Sequence, residues 1–243
     1  LQPIFISGRA VAVVGDSIIA VTISDPPGVV VRNRLSGSLD TLGSTFLNSP
    51  IHVQFMGERW YVSDVAEGRP SVVIMSANGD LEGQIDLRGV APTAHQFAVI
   101  PDGRIIVEVG GGELVALADD SAATFAVTEE EISRTGLLVA ASGGLIHAIP
   151  NRHITLYNGL GKIRWRVEWP WRETVYVSDI AIDASGRPHF IAGVQSTNEF
   201  LVYSFSPISG EIVRWSPRGP YATFTVRRLG ELEPDSASRW LGE

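Results

Sequence analysis

VGDSIIAV (residues 14–21), MGERWYV (56–62), IPDGRIIV (100–107), ASGGLIHAI (141–149) and ASGRPHFIA (184–192) are five versions of one device: an apolar strand end, a tight polar turn and a second apolar strand. Anchored at Asp16, Glu58, Gly103, Gly143 and Gly186, they recur at spacings of 42, 45, 40 and 43 residues. Each is followed by a third strand, another Gly-bearing turn and a fourth strand. A unit of this length and content is a four-stranded antiparallel blade, and its repetition predicts an all-β propeller.

Period-two alternation and β-branched enrichment, bounded by Gly, Pro, Asn, Asp and Ser, place the strands. The repeats read as 10–14, 17–23, 28–34 and 38–42; 51–56, 59–63, 71–76 and 81–87; 95–100, 104–109, 113–118 and 123–127; 136–141, 144–149, 153–157 and 162–168; and 178–183, 187–193, 199–205 and 211–215. Asn78-Gly79 is expected to close its hairpin as a type I′ turn. Crossings between repeats fall near 43–50, 88–94, 128–135, 170–177 and 216–221. Residues 3–6 and 221–228 read as strands from the two termini, so the expectation is five full repeats plus a partial sixth blade shared between the ends. A five-bladed ring with an accessory strand is the alternative. Residues 1–243 are expected to form one domain, with 229–243 as a surface tail.

Composition bounds the function. No stretch approaches the roughly 18 to 20 apolar residues of a membrane helix. The chain starts at Leu1 and is expected to be a processed or trimmed product. It has no cysteine, hence no disulfide framework and no thiolate ligand or nucleophile. Its formal charge of −8 argues against nucleic acid, whose binding needs clustered cations. That charge is unevenly spread: residues 1–150 carry 17 acids and 8 bases, while residues 151–228 carry 6 acids and 10 bases, a local +4. Of the 19 basic side chains all but Lys162 are arginine. Either a compositional bias or a preference for bidentate pairing accounts for that.

PDGRIIV (101–107), DASGRPHFIA (183–192), GERWYVSD (57–64) and outer turns such as SANGDLEGQI (76–85), NGLGKIRW (158–165) and PISGEIVRW (207–215) resemble the NHL-like and six-bladed propellers of bacterial secreted and lipid-anchored proteins. The resemblance implies a bacterial, exported or periplasmic protein. Asp64 stands where NHL-like repeats place an Asp after the second strand, whereas the aligned Val109 does not keep it. Lactonase-type propellers of this fold hold a cation at the starts of their innermost strands, here near Gly8, His52, His95, Thr135 and Asp179. His52, His95 and Asp179 are therefore the metal candidates, with water-binding channel residues as the other reading.

The remaining polar residues form no coherent catalytic set. His147 and His189 sit in apolar runs and read as structural groups. Asp119-Asp120 and Glu129-Glu130-Glu131 read as solvated loops, there is no GxSxG elbow, and Gly110-Gly111-Gly112 precedes no helix and reads as a turn. GKIRWRVEWPWRETVYV (161–177) is the main interaction candidate. Alternation sets Ile163, Trp165, Val167 and Trp169 against Lys162, Arg164, Arg166 and Glu168. Trp165 fits packing between blades, while Trp169-Pro170-Trp171-Arg172 falls where the chain crosses to the next blade. Trp and Arg dominate binding hot spots, so Arg164, Arg166, Trp169, Trp171 and Arg172 are the candidate partner-binding residues. The expected function is a non-catalytic propeller without cofactor that binds another protein, as an extrinsic structural subunit of a larger assembly, a membrane-associated one included. A metal-dependent lactonase-like hydrolase and a carbohydrate- or small-ligand-binding propeller are the alternatives.

Overall fold

The computed structural model describes residues 8–15, 17–90, 96–109, 112–118, 121–127, 136–141, 143–149, 152–168, 175–182, 187–194, 199–206, 211–216, 219–225 and 228–229. These residues contain strands and no helix, so none is long and apolar enough to cross a membrane.

Each repeat folds into its own antiparallel meander, because hairpin turns of a few residues leave no length for a crossover. The first sheet is β1 (Gly8–Val14), β2 (Ile18–Ser24), β3 (Pro27–Asn33) and β4 (Leu39–Leu42). The second is β5 (Pro50–Met56), β6 (Arg59–Ala66), β7 (Arg69–Ser76) and β8 (Leu81–Asp86). The third is β9 (Phe97–Val99), β10 (Ile105–Glu108), β11 (Glu113–Ala118) and β12 (Ser121–Val127). The fourth begins β13 (Leu137–Ala141), β14 (Gly144–Ile149), β15 (His153–Asn158) and β16 (Ile163–Glu168), and the fifth β17 (Val175–Ile182), β18 (Pro188–Val194), β19 (Glu199–Phe205) and β20 (Glu211–Ser216).

The C-terminal strands depart from the expectation. The segment read as 216–221 crossing plus 221–228 strand is a hairpin: β21 (Gly219–Thr225) pairs back on β20 as the fifth strand of the fifth sheet. Ser216-Pro217-Arg218-Gly219 has turn chemistry at both ends, and a short reversal needs no separate sheet. β22 (Arg228–Leu229) then lies along β16 as the outer strand of the fourth sheet, so Leu229 belongs to a sheet, and the rest of the expected tail lies outside the described residues. Residues 3–6 also lie outside them.

Local turn chemistry sets most hairpins. Gly57 and Glu58 both take positive φ, 58° and 65°, between the paired Met56 and Arg59, the conformation a two-residue type I′ turn demands. Asn78-Gly79 does not form one. Only Gly79 has positive φ, the amide of Gly79 donates to the carbonyl of Ser76, and the amide of Ser76 donates to that of Asp80. The loop is thus longer, with Gly79 alone in the left-handed region.

The chain packs as two compact units, one of residues 1–99 and 103–124 and the other of 100–102 and 125–243. In the first, Ala20, Val29, Val53, Trp60, Val73 and Met75 form a core between the first and second sheets, and Val72, Phe97, Val99 and Val107 form one between the second and third. In the other unit the fourth and fifth sheets meet through Ile146, Leu156, Trp165, Phe190, Tyr203 and Phe205. Removal of this apolar surface from water is the main stabilising term in each.

Candidate functional site

β16 carries the basic face read from the sequence, with one change. Trp165 and Val167 are buried, but Ile163 is 51% exposed and does not join them. The pairing with β15 shifts after Leu156↔Trp165 to Tyr157↔Ile163, which leaves Arg164 as the extra residue of a bulge and breaks the alternation that the sequence reading extended through Ile163. Arg164 and Arg166 are both half-buried. Nε of Arg166 donates to the Thr155 hydroxyl at 3.1 Å, and its backbone neighbours Leu229 of β22. Arg166 is therefore tied to its own sheet, whereas Arg164 has no cross-strand partner among the described residues. Trp169, Trp171 and Arg172 lie outside the described residues.

His147 and Thr155, neighbours on β14 and β15, are fully buried in line with Arg166. A Cβ on Gly136 would come within 2.2 Å of the His147 ring, so the absence of a side chain there makes room for the imidazole. His189 on β18 is half-buried between Ala181 and Ser204.

Of the metal candidates, His52 is the one whose side chain is described. It stands on β5 just past a register shift between Pro50 and His52, and its ring meets Phe97 edge-on at 5.0 Å and 85°. Burial lowers its pKa from 6.5 to about 4, against a backbone hydrogen bond with Phe97 that favours the cation. Two residues on, the Gln54 amide makes a two-pronged clamp on β9: Nε2 donates to the Val99 carbonyl and Oε1 accepts from the Val99 amide, each at 2.9 Å. His52 and Gln54 thus stitch the innermost strands of the second and third sheets together. His95 lies outside the described residues, and Asp179 stands in β17 opposite Ile191, likewise just past a register shift. Among the described residues no three His, Asp or Glu side chains gather as a metal site would require.

The neutral His52 predicts a pH dependence. Its folded pKa lies below its unfolded one, so between the two the unfolded chain binds more protons. The stabilisation is complete above about pH 6.5 and is lost as pH falls toward 4. Because the ring keeps some solvent contact, the loss is expected to be roughly 2 kcal/mol, less than the whole shift would give. Urea unfolding at stepped pH measures it; an identical slope in His52→Gln and the parent would assign the pH dependence to other groups.

Asp64, singled out by its repeat position, is buried at the end of β6. Its carboxylate accepts from the backbone amides of Asn48, at 3.0 Å, and Ser49, at 2.6 Å, and from the Asn48 side-chain amide at 3.3 Å. It fixes the chain entering β5 and so helps place His52. Thr22 has a related task in the first sheet, where its buried hydroxyl accepts the Ala10 amide at 3.0 Å beside the register shift of β1.

No protein-family model matches the chain, and no curated protein matches it in sequence. Solved structures match in shape. Virginiamycin B lyase from Staphylococcus aureus is 11% identical with a TM-score of 0.58, over 90% of this chain and 84% of that one. A chain of the nidogen/laminin complex is 12% identical with a TM-score of 0.54, over 92% and 83%. The Cps50 (Swd1) β-propeller domain of Myceliophteria thermophila is 10% identical with a TM-score of 0.57, over 90% and 87%. At such low identity the likeness shows the fold alone, and that fold is the β-propeller.

Proposed function

We propose that this propeller is a non-catalytic module that binds another protein as an extrinsic structural subunit of a larger assembly, using the basic fourth strand of the fourth repeat, β16, at its Arg164 end. The observation that carries the reading is the division of β16. Trp165 and Val167 are committed to the core, while Arg164 stands at a bulge in a sector of local charge +4 and leads toward Trp169-Pro170-Trp171-Arg172. A bulge re-aims the residue it carries, and an arginine free of a ladder partner offers its fork to carboxylates. The nidogen/laminin neighbour is a propeller fold found in a protein complex, which is in keeping with a partner of this kind.

Copurification from the native source, followed by binding measurements with the stoichiometric partner, tests it. Trp171→Ala is expected to weaken that complex by about 2 kcal/mol or more with folding nearly intact. Charge reversal at Arg164 should act chiefly on association rate and its salt dependence. A large stability loss in Trp171→Ala with unchanged affinity would make this tryptophan a packing residue and remove the interface from this place.

A further inference from the structure

The edge of β16 that faces away from β15 is paired over only part of its length. β22 lies antiparallel to it with Val167 opposite Arg228 and Arg166 opposite Leu229. Upstream of these, Trp165, Arg164 and Ile163 have no strand on that side among the described residues. An edge that keeps unpaired backbone donors and acceptors is a template for a further strand. At its open end Ile163 is 51% exposed, beside the exposed Lys162 and the half-buried Arg164. Arg166 adds a second open demand: its Nη2 is buried and has no acceptor among the described residues.

An antiparallel register steps one residue along each strand in opposite directions. Continued from the two observed pairs, it sets Gly230 opposite the buried Trp165, Glu231 opposite Arg164, Leu232 opposite Ile163 and Glu233 opposite Lys162, and in the other direction Arg227 opposite Glu168. Wherever both members of a pair are charged, the signs are opposite, and directly opposed charges of opposite sign stabilise a sheet. Glu231 also falls diagonal to Arg166, within reach of long side chains. A slip of one residue either way sets neither Glu231 nor Glu233 against a cation, so the charges specify this register. Pro234, which has no N–H for a ladder, follows as β16 reaches its first residue. We propose that residues 230–233 dock on the open edge of β16 in this register, prolonging β22 to the start of that strand. The docking adds to the partner reading a resident competitor, since a partner acting through Arg164 must displace Glu231. It stands without any partner and is tested on the isolated chain, so the two readings fail separately.

The chain has no cysteine, so an introduced pair reports on docking without competing thiols. Ile163→Cys/Leu232→Cys brings two directly opposed side chains within reach of a disulfide. With oxidised glutathione the bridge is expected to close within one chain about tenfold or more faster than in the out-of-register pair Ile163→Cys/Asp235→Cys, because docking raises the effective concentration of one thiol only. Adding Glu231→Lys/Glu233→Lys should erase that advantage, and adding Lys162→Glu/Arg164→Glu to those should restore it by exchanging the signs. Amide hydrogen exchange gives a second reading without cysteines: in Glu231→Lys/Glu233→Lys at least one amide of Ile163–Trp165 should exchange about tenfold faster than in the parent, as a local opening requires. Equal closure rates in the two cysteine pairs, or exchange at Ile163–Trp165 unchanged by the lysine substitutions, overturns the proposal. Disulfides found only between chains overturn it too, and make the tail of a second copy the occupant.

Discussion

Trp165→Ala is expected to destabilise the unit of residues 100–102 and 125–243 by about 3–5 kcal/mol, the range for truncating a buried Trp. Its side chain is 4% exposed, lies opposite Leu156, and meets Phe205 at 5.8 Å in a tilted edge arrangement inside the shared core of the fourth and fifth sheets. Truncation removes aromatic area from both sheets at once, and β strands held by hairpins on either side cannot close fully on the void. Urea unfolding gives the loss directly. A change below about 1 kcal/mol would mean that Trp165 is not part of a packed core. Ile163→Ser, two residues away on the same strand, is expected to stay within about 0.5 kcal/mol because that side chain is already in water.

Asp64→Ala should cost about 3–4 kcal/mol in the unit of residues 1–99 and 103–124. Hydrogen bonds to a charged group are individually strong, and here two successive backbone amides lose their acceptor together. Exposure of Asn48 lets water recover part of that loss. Asp64→Asn keeps one acceptor oxygen and should lose less than half as much. Comparable losses for the two variants would show that one neutral acceptor oxygen cannot hold the two amides, and a loss below about 1 kcal/mol in Asp64→Ala would show that the carboxylate does not anchor the chain entering β5. The effect should also reach the His52 ring: its edge contact with Phe97 depends on where β5 begins, so an altered His52 titration is expected to accompany the stability loss.

The repeats were legible because their information is local. Gly57-Glu58, Gly103 and Gly143 mark turns by the backbone they permit, and the spacing between such marks yields sheets without any long-range contact being known. Reading failed where alternation was assumed to be unbroken. The bulge at Arg164 moved Ile163 out of the Trp165 face, and bulges of one residue leave no compositional trace. Ser216-Pro217-Arg218-Gly219 was equally suited to a crossing and a hairpin, and pairing with β20 decided it.

Less of the candidate site could be read. His52 suggested a ligand from its place at a strand start, but which group an imidazole meets is set by the neighbouring sheet, here Phe97. Gln54 carries no mark of its role in the sequence. Its partner Val99 is 45 residues away, and nothing near either residue announces the contact. Asp64 stands out in the sequence only through a family resemblance, and its amide partners at Asn48 and Ser49 are set by how the segment entering β5 folds against it.

The Gln54 clamp has a consequence for how separable adjacent repeats are. In a chain of repeats, cooperativity depends on the strength of the coupling between neighbours relative to the stability of each. Apolar contacts loosen gradually as two surfaces part, but a pair of hydrogen bonds anchored on one peptide group keeps its strength only within a narrow geometry. Gln54 in effect lends the third repeat an extra backbone residue from the second. Opening the boundary at Val99 must therefore forfeit both bonds almost at once, which gives that boundary the character of a latch and makes the two repeats tend to melt as a single cooperative block.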